Sequence, residues 1–279
     1  MQNISAVVIL YNPLPIVKYN ILSYIDYIDC LYIIDNSYQY STLLLSGFVS
    51  NKIKVLHYGS NIGISKALNI ALKQAKEDNY KWLLTFDQDT YFIKKDDCLH
   101  FLSNIYMLDD TNIALISPLH NKKFINIIGT RYEQVDFVMT SANCINIDIT
   151  MQIGGFDEKL FIDEVDHEFC LRLKRYKYII LKDNHIAVNH SLGISHKWFS
   201  KIKIYDSLRL YYMIRNYLYI RRIYKVYNID FFKKRDRYLI KFFILQTSFS
   251  KNIFKDISYI IKGIKDYRSN KFGKLENNV

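Results

Sequence analysis

The chain has 279 residues, of which half are apolar and 23% are charged. This is the composition of a folded globular protein, and it excludes a disordered or fibrous chain. The net charge of +11 is uneven, because residues 200–279 carry 19 Lys and Arg against 6 Asp and Glu, a net of +13. Residues 1–199 therefore carry about −2, and a function located there need not involve the basic segment.

The four cysteines are widely spaced and form no metal-binding or disulfide motif, which predicts buried free thiols in a reducing cytoplasm. No run of about 18 apolar residues is present, so we expect no membrane-spanning helix. The opening sequence MQNISAVVILYNP has a short apolar run without a basic leader, and we expect no signal peptide.

Short apolar segments alternate with helical patterns up to about residue 117, which predicts an α/β domain with a mostly parallel sheet. The predicted strands are SAVVILY, CLYIID, IKVLHY, WLLTFD and IALIS. The segment ISKALNIALKQAKED has helical spacing of its apolar residues. Its predicted core face consists of Ile64, Leu68, Ala71, Leu72 and Ala75.

The first four predicted strands are each followed by polar residues. These are Tyr11-Asn12-Pro13, Asp35-Asn36-Ser37, Asn61-Ile62-Gly63 and Asp87-Gln88-Asp89. Ligands of parallel sheets bind at the carboxyl ends of the strands. We therefore predict that the four groups lie together at one edge of the sheet.

The pattern changes beyond residue 120. A strand-like segment, FVMTSANCINID, precedes a predicted helix over DEVDHEFCLRLKRY. The predicted core face of that helix is Val165, Phe169, Leu173 and Tyr176. After Trp198, three helical segments mix aromatic residues with Lys and Arg: RLYYMIRNYLYIRRIY, YLIKFFILQTSF and IFKDISYIIKGIKDY. We therefore predict an α/β domain over residues 1–197 and a basic helical extension over 198–279.

Asp87 and Asp89 leave a buried strand one residue apart, so that both carboxylates can bind one Mg²⁺ or Mn²⁺ ion. The alternative is an Asx turn that caps the next segment. His190 is either a structural residue or a further ligand, since imidazole suits Mn²⁺ better than Mg²⁺.

A second acidic group consists of Asp163, Glu164, Asp166 and Glu168. Acidic residues in the first turn of a helix are favoured by the helix dipole, which alone would explain them. The preceding Gly154-Gly155-Phe156-Asp157 turn is expected to be a flexible loop that brings one of these acids to a bound substrate.

The ordered motifs resemble the bacterial family 2 glycosyltransferases, and within them the rhamnosyltransferase-like branch that builds O-antigen and capsular polysaccharide. The motifs are YNP, DNS, NIGISKALN, FDQDT, GGFDEKLFIDEVDHEFCLR, HSLG and YYMIRN, and the resemblance extends from about residue 5 to residue 217. It implies a GT-A fold, a nucleotide-sugar donor and an inverting transfer assisted by Mg²⁺ or Mn²⁺.

The resemblance also implies roles for individual residues in donor binding. Asp89 would bind the metal directly, Asp87 would contact the ribose or the metal's surroundings, and His190 would add a metal or diphosphate contact. The implied nucleobase pocket is lined by Tyr11 and Asp35, with Asn61, Gly63 and Lys66 nearby.

The family's catalytic base matches Asp166, which lies six residues before Arg172. Val165 stands where the family usually has glutamate, which leaves open whether Asp163 or Glu168 shares the role of the base with Asp166. Arg215 would add a positive charge at the diphosphate; the alternative is a position on a solvated helix face.

The resemblance predicts dTDP-rhamnose as the donor, with a UDP-hexose or UDP-galactofuranose as alternatives, and a lipid-linked oligosaccharide as the acceptor. The basic extension suits an anionic membrane surface. This predicts a cytoplasmic protein, peripheral at the inner face of the bacterial cytoplasmic membrane, with no nucleic acid partner. An ordinary solvated helical face is the alternative for the extension.

Other classes of protein share parts of this pattern. FDQDT also resembles the nucleophile motif of haloacid-dehalogenase-type phosphatases, and a non-catalytic nucleotide-binding protein would share the fold. The first strand is followed by Tyr-Asn-Pro rather than by G-x-G-x-x-G, which argues against a dinucleotide-dependent oxidoreductase.

Overall fold

A computed structural model describes residues 3–40, 51–94, 96–105, 107–108, 110–121, 129–190 and 205–276. The described chain divides into two compact units. The first, called the sheet unit, comprises Met1–Glu158 and Val165–Leu192, and the second, called the helical unit, comprises Lys159–Glu164 and Gly193–Val279. The predicted boundary between residues 197 and 198 lies outside the described residues.

The described strands of the sheet unit form one sheet. They are β1 (Ile4–Leu10), β2 (Cys30–Asp35), β3 (Ile53–His57), β4 (Trp82–Asp87), β5 (Thr90–Phe92), β6 (Ile113–His120), β7 (Tyr132–Gln134), β8 (Asn143–Asn146) and β9 (Ile179–His190). Their order is β3-β2-β1-β4-β8-β6-β9-β5, and β7 pairs with β9. The five strands predicted before residue 118 are β1, β2, β3, β4 and β6, and all are confirmed.

The parallel arrangement holds only for part of the sheet. β1 is parallel to β2 and β4, and β2 is parallel to β3. β8 runs antiparallel to β4 and β6, while β5 and β7 run antiparallel to β9. The α/β class is confirmed, but the sheet is mixed rather than mostly parallel. The central strands β1 and β2 are buried along their whole length, as expected for strands covered on both faces.

The helices of the sheet unit are α1 (Val17–Leu22), α2 (Ile64–Glu77), α3 (Asp97–Ile105), α4 (Ile147–Gln152) and α5 (Val165–Arg175), together with a 3-10 turn at Ile25–Tyr27. The predicted core face of α2 is buried except at Ile64, which is partly exposed. The prediction that Tyr176 belongs to the core face of α5 is wrong for this residue. It lies beyond the end of the helix and is 59% exposed, and the chain turns away at Lys177, whose φ is 64°.

The segment predicted as one strand, FVMTSANCINID, is a strand only over Asn143–Asn146. The side chain of Asn146 accepts a hydrogen bond from the N–H of Ile149 and so caps α4, which begins at Ile147. The strand therefore ends earlier than its apolar pattern suggests. The four cysteines are buried and free, as predicted.

The helical unit contains α6 (Ser207–Tyr224), α7 (Ile229–Ser248) and α8 (Ile253–Arg268), which confirm the three predicted helical segments. Each begins at a residue whose side chain accepts a backbone hydrogen bond: Asp206, Asn228 and Asn252. Such caps satisfy donors that the first turn of a helix leaves unpaired. Within the described residues, every helix is too short or too polar to cross a bilayer.

Candidate active site

The polar ends of β1, β2 and β4 meet at one edge of the sheet, as predicted. Leu10 lies opposite Asp35 in the register of β1 and β2, and Ile9 lies opposite Asp87 in that of β1 and β4. β9 is parallel to β6, and β6 and β4 both pair antiparallel with β8, so β9 ends at the same edge with His190. The sheet thus brings both predicted carboxylates and the predicted histidine to one edge.

The segments predicted to form the nucleobase pocket are tied together by hydrogen bonds. The N–H of Asn12 donates to Ser37 Oγ at 2.8 Å, which joins the loop after β1 to the loop after β2. Asn36 Nδ2 donates to the carbonyl of Gly63 at 3.3 Å, which joins β2 to the start of α2. Gly63 has a φ of 87°, a conformation that favours glycine.

The individual pocket residues differ in exposure. Asp35 is fully buried, and its Oδ1 accepts from the N–H of Ser37 at 3.0 Å. Asn61 Oδ1 accepts from the N–H of Gly63 at 2.9 Å, so its side chain shapes the turn before α2. Tyr11 and Lys66 are exposed and are available to a ligand. Contact of these residues with a nucleobase stays a prediction.

Gln88, between the two aspartates, has a role that its sequence position did not reveal. Its Oε1 accepts from the N–H of Tyr11 at 2.8 Å, and its Nε2 donates to the carbonyl of Tyr11 at 3.3 Å. Its own carbonyl accepts from Asn20 Nδ2 at 2.8 Å. Gln88 therefore fixes the loop after β4 to the loop after β1.

Asp87, Asp89 and His190 form a group that fits a divalent cation. Each offers one ligand atom, and these atoms lie within 4.8 Å of one another. Nδ1 of His190 lies 3.2 Å from Oδ1 of Asp89. Two carboxylates and one imidazole are donors that suit Mg²⁺ or Mn²⁺.

Two hydroxyl groups and a second histidine support His190. Ser141 Oγ donates to Thr90 Oγ1 at 2.8 Å, and Thr90 Oγ1 lies 2.6 Å from His190 Nδ1. His120 lies edge-on to His190 with 6.3 Å between ring centroids, and its Nε2 is 2.8 Å from the carbonyl of Ser141. Burial lowers the pKa of His120, and the neighbouring His190 lowers it further. Sequence reasoning missed these three residues because they come from separate segments.

Asp166 lies in the wall of a cavity next to this group. The cavity has a volume of about 350 Å³, and His120, Phe137, His167 and Lys182 also line it. The Asp166 side chain is 30% exposed, and its Oδ1 accepts from the N–H of His167 at 2.8 Å. His120 thus lies both beside His190 and in the cavity that contains the Asp166 carboxylate.

Asp163 and Glu168, the acids considered for a share of the base role, are both held in ion pairs. Arg209 Nη2 lies 3.0 Å from Oδ1 of Asp163, within the helical unit. Arg172 Nη2 lies 2.9 Å from Oε2 of Glu168, whose side chain is buried. Asp166 has a longer contact, 3.5 Å from its Oδ1 to Nδ1 of His167. This difference favours Asp166 as the base, and the assignment stays a prediction.

The turn before the acidic group is held by hydrogen bonds on both sides, contrary to the expectation of a flexible loop. Asn69 accepts from the N–H of Phe156 at 2.7 Å and donates to its carbonyl at 2.9 Å. Arg172 donates to the carbonyls of Ile153 at 2.8 Å and Gly155 at 2.6 Å. The turn is therefore fixed to α2 and α5.

Arg215 belongs to the helical unit, where it is buried. Its guanidinium donates to Asn216, Tyr211 and the carbonyls of Gly273 and Lys159. The alternative of a solvated helix face is therefore wrong, and a contact with the donor's diphosphate stays a prediction.

The fold agrees with comparisons to known proteins. The family described as "Glycosyl transferase family 2" matches residues 5–156. The chain belongs to this family, and it is a transferase with a GT-A-like fold. The phosphatase alternative is not supported, since this match includes the Asp87-Gln88-Asp89 segment on which that alternative depended.

Individual relatives extend the comparison. The chain is 27% identical over 215 residues to the dTDP-rhamnosyl transferase RfbF of Shigella flexneri, a match that covers 69% of this chain and 70% of the relative. A structure of GalNAc-T7 with UDP, GalNAc and Mn²⁺ has a TM-score of 0.61 and 14% identity; the match covers 95% of this chain and 54% of that protein. S. aureus TarS with UDP-GlcNAc has a TM-score of 0.55 and 17% identity, with 95% and 80% covered. This chain therefore spans about half the length of the GalNAc-T7 chain.

Proposed function

We propose that the protein is an inverting, metal-dependent glycosyltransferase that moves rhamnose from dTDP-rhamnose to a lipid-linked oligosaccharide in bacterial surface polysaccharide synthesis. The observation that carries this proposal is the position of His120. Its ring lies beside His190 of the cation-binding group and lines the cavity that contains Asp166. This neighbourhood supports a site for the leaving diphosphate beside a site for the attacking hydroxyl.

The residues divide the reaction between them. Asp89 and His190, with Asp87, would hold Mg²⁺ or Mn²⁺, which as a Lewis acid stabilises the negative charge on the departing diphosphate. The acceptor hydroxyl attacks the anomeric carbon while the bond between that carbon and the diphosphate oxygen breaks. Asp166 takes the proton of the hydroxyl as the new glycosidic bond forms. Attack from the face opposite the leaving group inverts the anomeric configuration.

The choice of donor rests on the relative from Shigella flexneri, whose name specifies dTDP-rhamnose. A UDP-hexose and UDP-galactofuranose are the alternatives, because thymine differs from uracil by one methyl group. A methyl group contributes only about 1 kcal/mol to binding. The nucleobase preference must therefore be measured.

Calorimetric titration of the full chain with dTDP and with UDP, each with and without Mn²⁺, tests the proposal. We expect dTDP to bind in the presence of Mn²⁺ and the binding to be lost in Asp89→Ala. The matched control is Asp148→Ala, which removes an exposed carboxylate paired with Lys76. Tighter binding of UDP than of dTDP would indicate a UDP-sugar as the donor in place of dTDP-rhamnose. Failure of both nucleotides to bind with Mn²⁺ would refute the donor site.

Association with the membrane is supported by apolar side chains that the helical unit exposes. Phe254, Ile257 and Ile261 are exposed on α8 at helical spacing, and Ile240 and Ile244 are exposed on α7. Lysines flank them in the sequence. Apolar residues flanked by Lys suit the headgroup region of an anionic bilayer.

Flotation with phosphatidylcholine vesicles, with and without phosphatidylglycerol, tests this association. We expect binding that depends on the anionic lipid and is reduced in Phe254→Ser/Ile257→Ser. The matched control is Leu14→Ser/Tyr19→Ser, which removes exposed apolar side chains from the sheet unit. Equal binding by all three proteins would refute the role of α8.

A further inference from the structure

The helical unit contains a cavity whose lining has more cationic than anionic side chains. It has a volume of about 260 Å³ and is formed by α6, α8 and residues 271–276. Six charged residues line it: Arg215, Lys262, Lys271, Lys274, Asp266 and Glu276. Four cations against two carboxylates give the lining a net charge of +2. A concave surface of this sign concentrates anions.

Arg215 is the buried cation of this cavity, with 1% of its surface exposed. Its Nε and Nη1 donate to neutral oxygens at 2.9–3.1 Å, those of the Asn216 side chain, the Tyr211 hydroxyl and the Gly273 carbonyl. Nη2 has one long contact, 3.4 Å to the carbonyl of Lys159. Among the ion pairs that the structure gives for its described residues, none includes Arg215.

A buried guanidinium whose hydrogen bonds all go to neutral acceptors is expensive in free energy. Asp266 reaches Arg215 only through the hydroxyl of Tyr211, which donates to the aspartate at 2.9 Å. The rings of Tyr211, Tyr212 and Phe272 lie 5.0–5.8 Å from the guanidinium carbon and offset part of the cost. An anion in the cavity would supply the missing negative charge.

We propose that this cavity binds a phosphate or diphosphate group. Arg215 places a fixed positive charge in the wall of the cavity, and the lysines supply charged donors around it for the phosphate oxygens. The volume lies below the ~300 Å³ at which pockets for drug-sized ligands begin. The cavity therefore accommodates the phosphorylated end of a ligand rather than a whole nucleotide. It contains none of the metal-binding residues of the sheet unit, so binding there requires no divalent cation.

A phosphate group of this kind has two sources: the diphosphate of a lipid-linked acceptor, or a free phosphorylated solute. The lipid source rests on the function proposed above, whereas the phosphate site itself does not. The exposed apolar residues Phe254, Ile257 and Ile261 precede Lys262 on α8. The chain of a lipid-linked acceptor would have an apolar path along the same helix, whereas a free solute would not need one. Binding to lipid vesicles therefore distinguishes the two sources.

Titration of the full chain with inorganic pyrophosphate in EDTA tests the site without the metal. We expect binding that weakens by about tenfold or more in Lys262→Gln/Lys271→Gln, because each lysine supplies a charged hydrogen bond. The matched control, Lys251→Gln/Lys255→Gln, removes two exposed lysines of the same unit and should bind as the wild type does. No binding, or equal weakening in both double variants, would overturn the proposal.

Flotation with phosphatidylcholine vesicles, with and without a polyprenyl diphosphate, then identifies the source. If the protein floats only with vesicles that contain the diphosphate lipid, and Lys262→Gln/Lys271→Gln does not, the phosphate group comes from a lipid-linked acceptor. Pyrophosphate binding without such recruitment supports a free solute. A chain that binds pyrophosphate in EDTA but no nucleotide with Mn²⁺ would refute the proposed donor and leave this site intact, so the two failures are distinguishable.

Discussion

Arg235 Nη2 lies 2.7 Å from Oε1 of Glu164, and this ion pair joins α7 to the segment that directly precedes α5. Glu164 is buried, and it follows Asp163; both residues have a φ of 63°, which is unusual for residues other than glycine. Arg209 holds Asp163, and Asn216 Nδ2 donates to the carbonyls of Ile162 and Asp163 at 2.7 and 3.1 Å. Such contacts are what a strained backbone needs in order to persist.

Arg235→Ala should therefore destabilise the protein and slow the reaction. It leaves the buried Glu164 carboxylate without this partner, which costs about 3 kcal/mol or more. It also loosens the chain two residues before Asp166, so we expect kcat to fall more than nucleotide affinity. Denaturant unfolding, a transfer assay and dTDP calorimetry measure the three quantities.

The matched control is Arg237→Ala, which removes an exposed arginine from the same helix and should change stability by less than about 0.5 kcal/mol. In Glu164→Gln/Arg235→Ala the destabilisation should be smaller, because position 164 then carries a neutral amide instead of a buried carboxylate. If Arg235→Ala and Arg237→Ala behave alike, the ion pair does not hold this segment.

Gln88→Ala should weaken nucleotide binding while leaving the cation-binding group in place. The change removes two hydrogen bonds to the backbone of Tyr11. Together they contribute about 1–3 kcal/mol to holding the Tyr11 backbone. We expect about 0.7–1.4 kcal/mol of this to be lost from nucleotide binding, a loss of affinity of about threefold to tenfold. Calorimetry with dTDP and Mn²⁺ measures it, with Gln134→Ala in the exposed β7 as the control. Unchanged affinity in Gln88→Ala would mean that Tyr11 does not contact the nucleotide.

The strands, helices and sheet edge were predictable because they follow from local patterns. β1 and β2 are short buried runs, and α2 repeats its apolar residues every three to four positions. The grouping of Asp87 with Asp89 was predictable because the two residues are separated only by Gln88 and follow the end of a buried strand. His190 was predicted to join these two aspartates from the sequence resemblance, not from its own position in the sequence.

The rest depends on contacts between distant parts of the chain, which no local pattern encodes. Glu164 and Arg235 are 71 residues apart, and Thr90 and His190 are 100 residues apart. Arg215 lies in a helix whose aromatic and basic residues alternate without a clear apolar face, so its burial could not be inferred. The antiparallel insertion of β8 between β4 and β6 was missed for the same reason.

Asp166→Asn should reduce transfer without a matching loss of donor binding. The amide preserves the shape of the side chain but cannot take the proton of the acceptor hydroxyl. General base catalysis contributes about 10²–10⁴-fold, and kcat should fall by that factor. Transfer kinetics and dTDP calorimetry on the same preparation separate the two effects.

Asp136→Asn is the control for Asp166→Asn, because it makes the same change at a carboxylate paired with Lys174 and largely exposed. It should retain most of the activity. Equal loss of donor affinity in Asp166→Asn and Asp89→Ala would contradict the separation of base and metal ligand.

Gly155→Ala should destabilise the sheet unit by about 2–5 kcal/mol. Gly155 has a φ of 70°, which costs an L-residue about 1–2 kcal/mol. An added Cβ would also lie 2.5 Å from Oδ1 of Asn69. That oxygen accepts the N–H of Phe156, so it cannot move without breaking the hydrogen bond that holds the turn. Overpacking of this kind adds about 1–3 kcal/mol.

Gly59→Ala separates the cost of the backbone conformation from the cost of overpacking in Gly155→Ala. Gly59 has a φ of 65°, but nothing lies within 4 Å of its Cβ position. It should therefore show only the backbone term, about 1–2 kcal/mol. Denaturant unfolding of the two variants measures the difference, which is the cost of displacing Asn69. Equal destabilisation would show that Asn69 moves freely and that the turn before α5 is not fixed by α2.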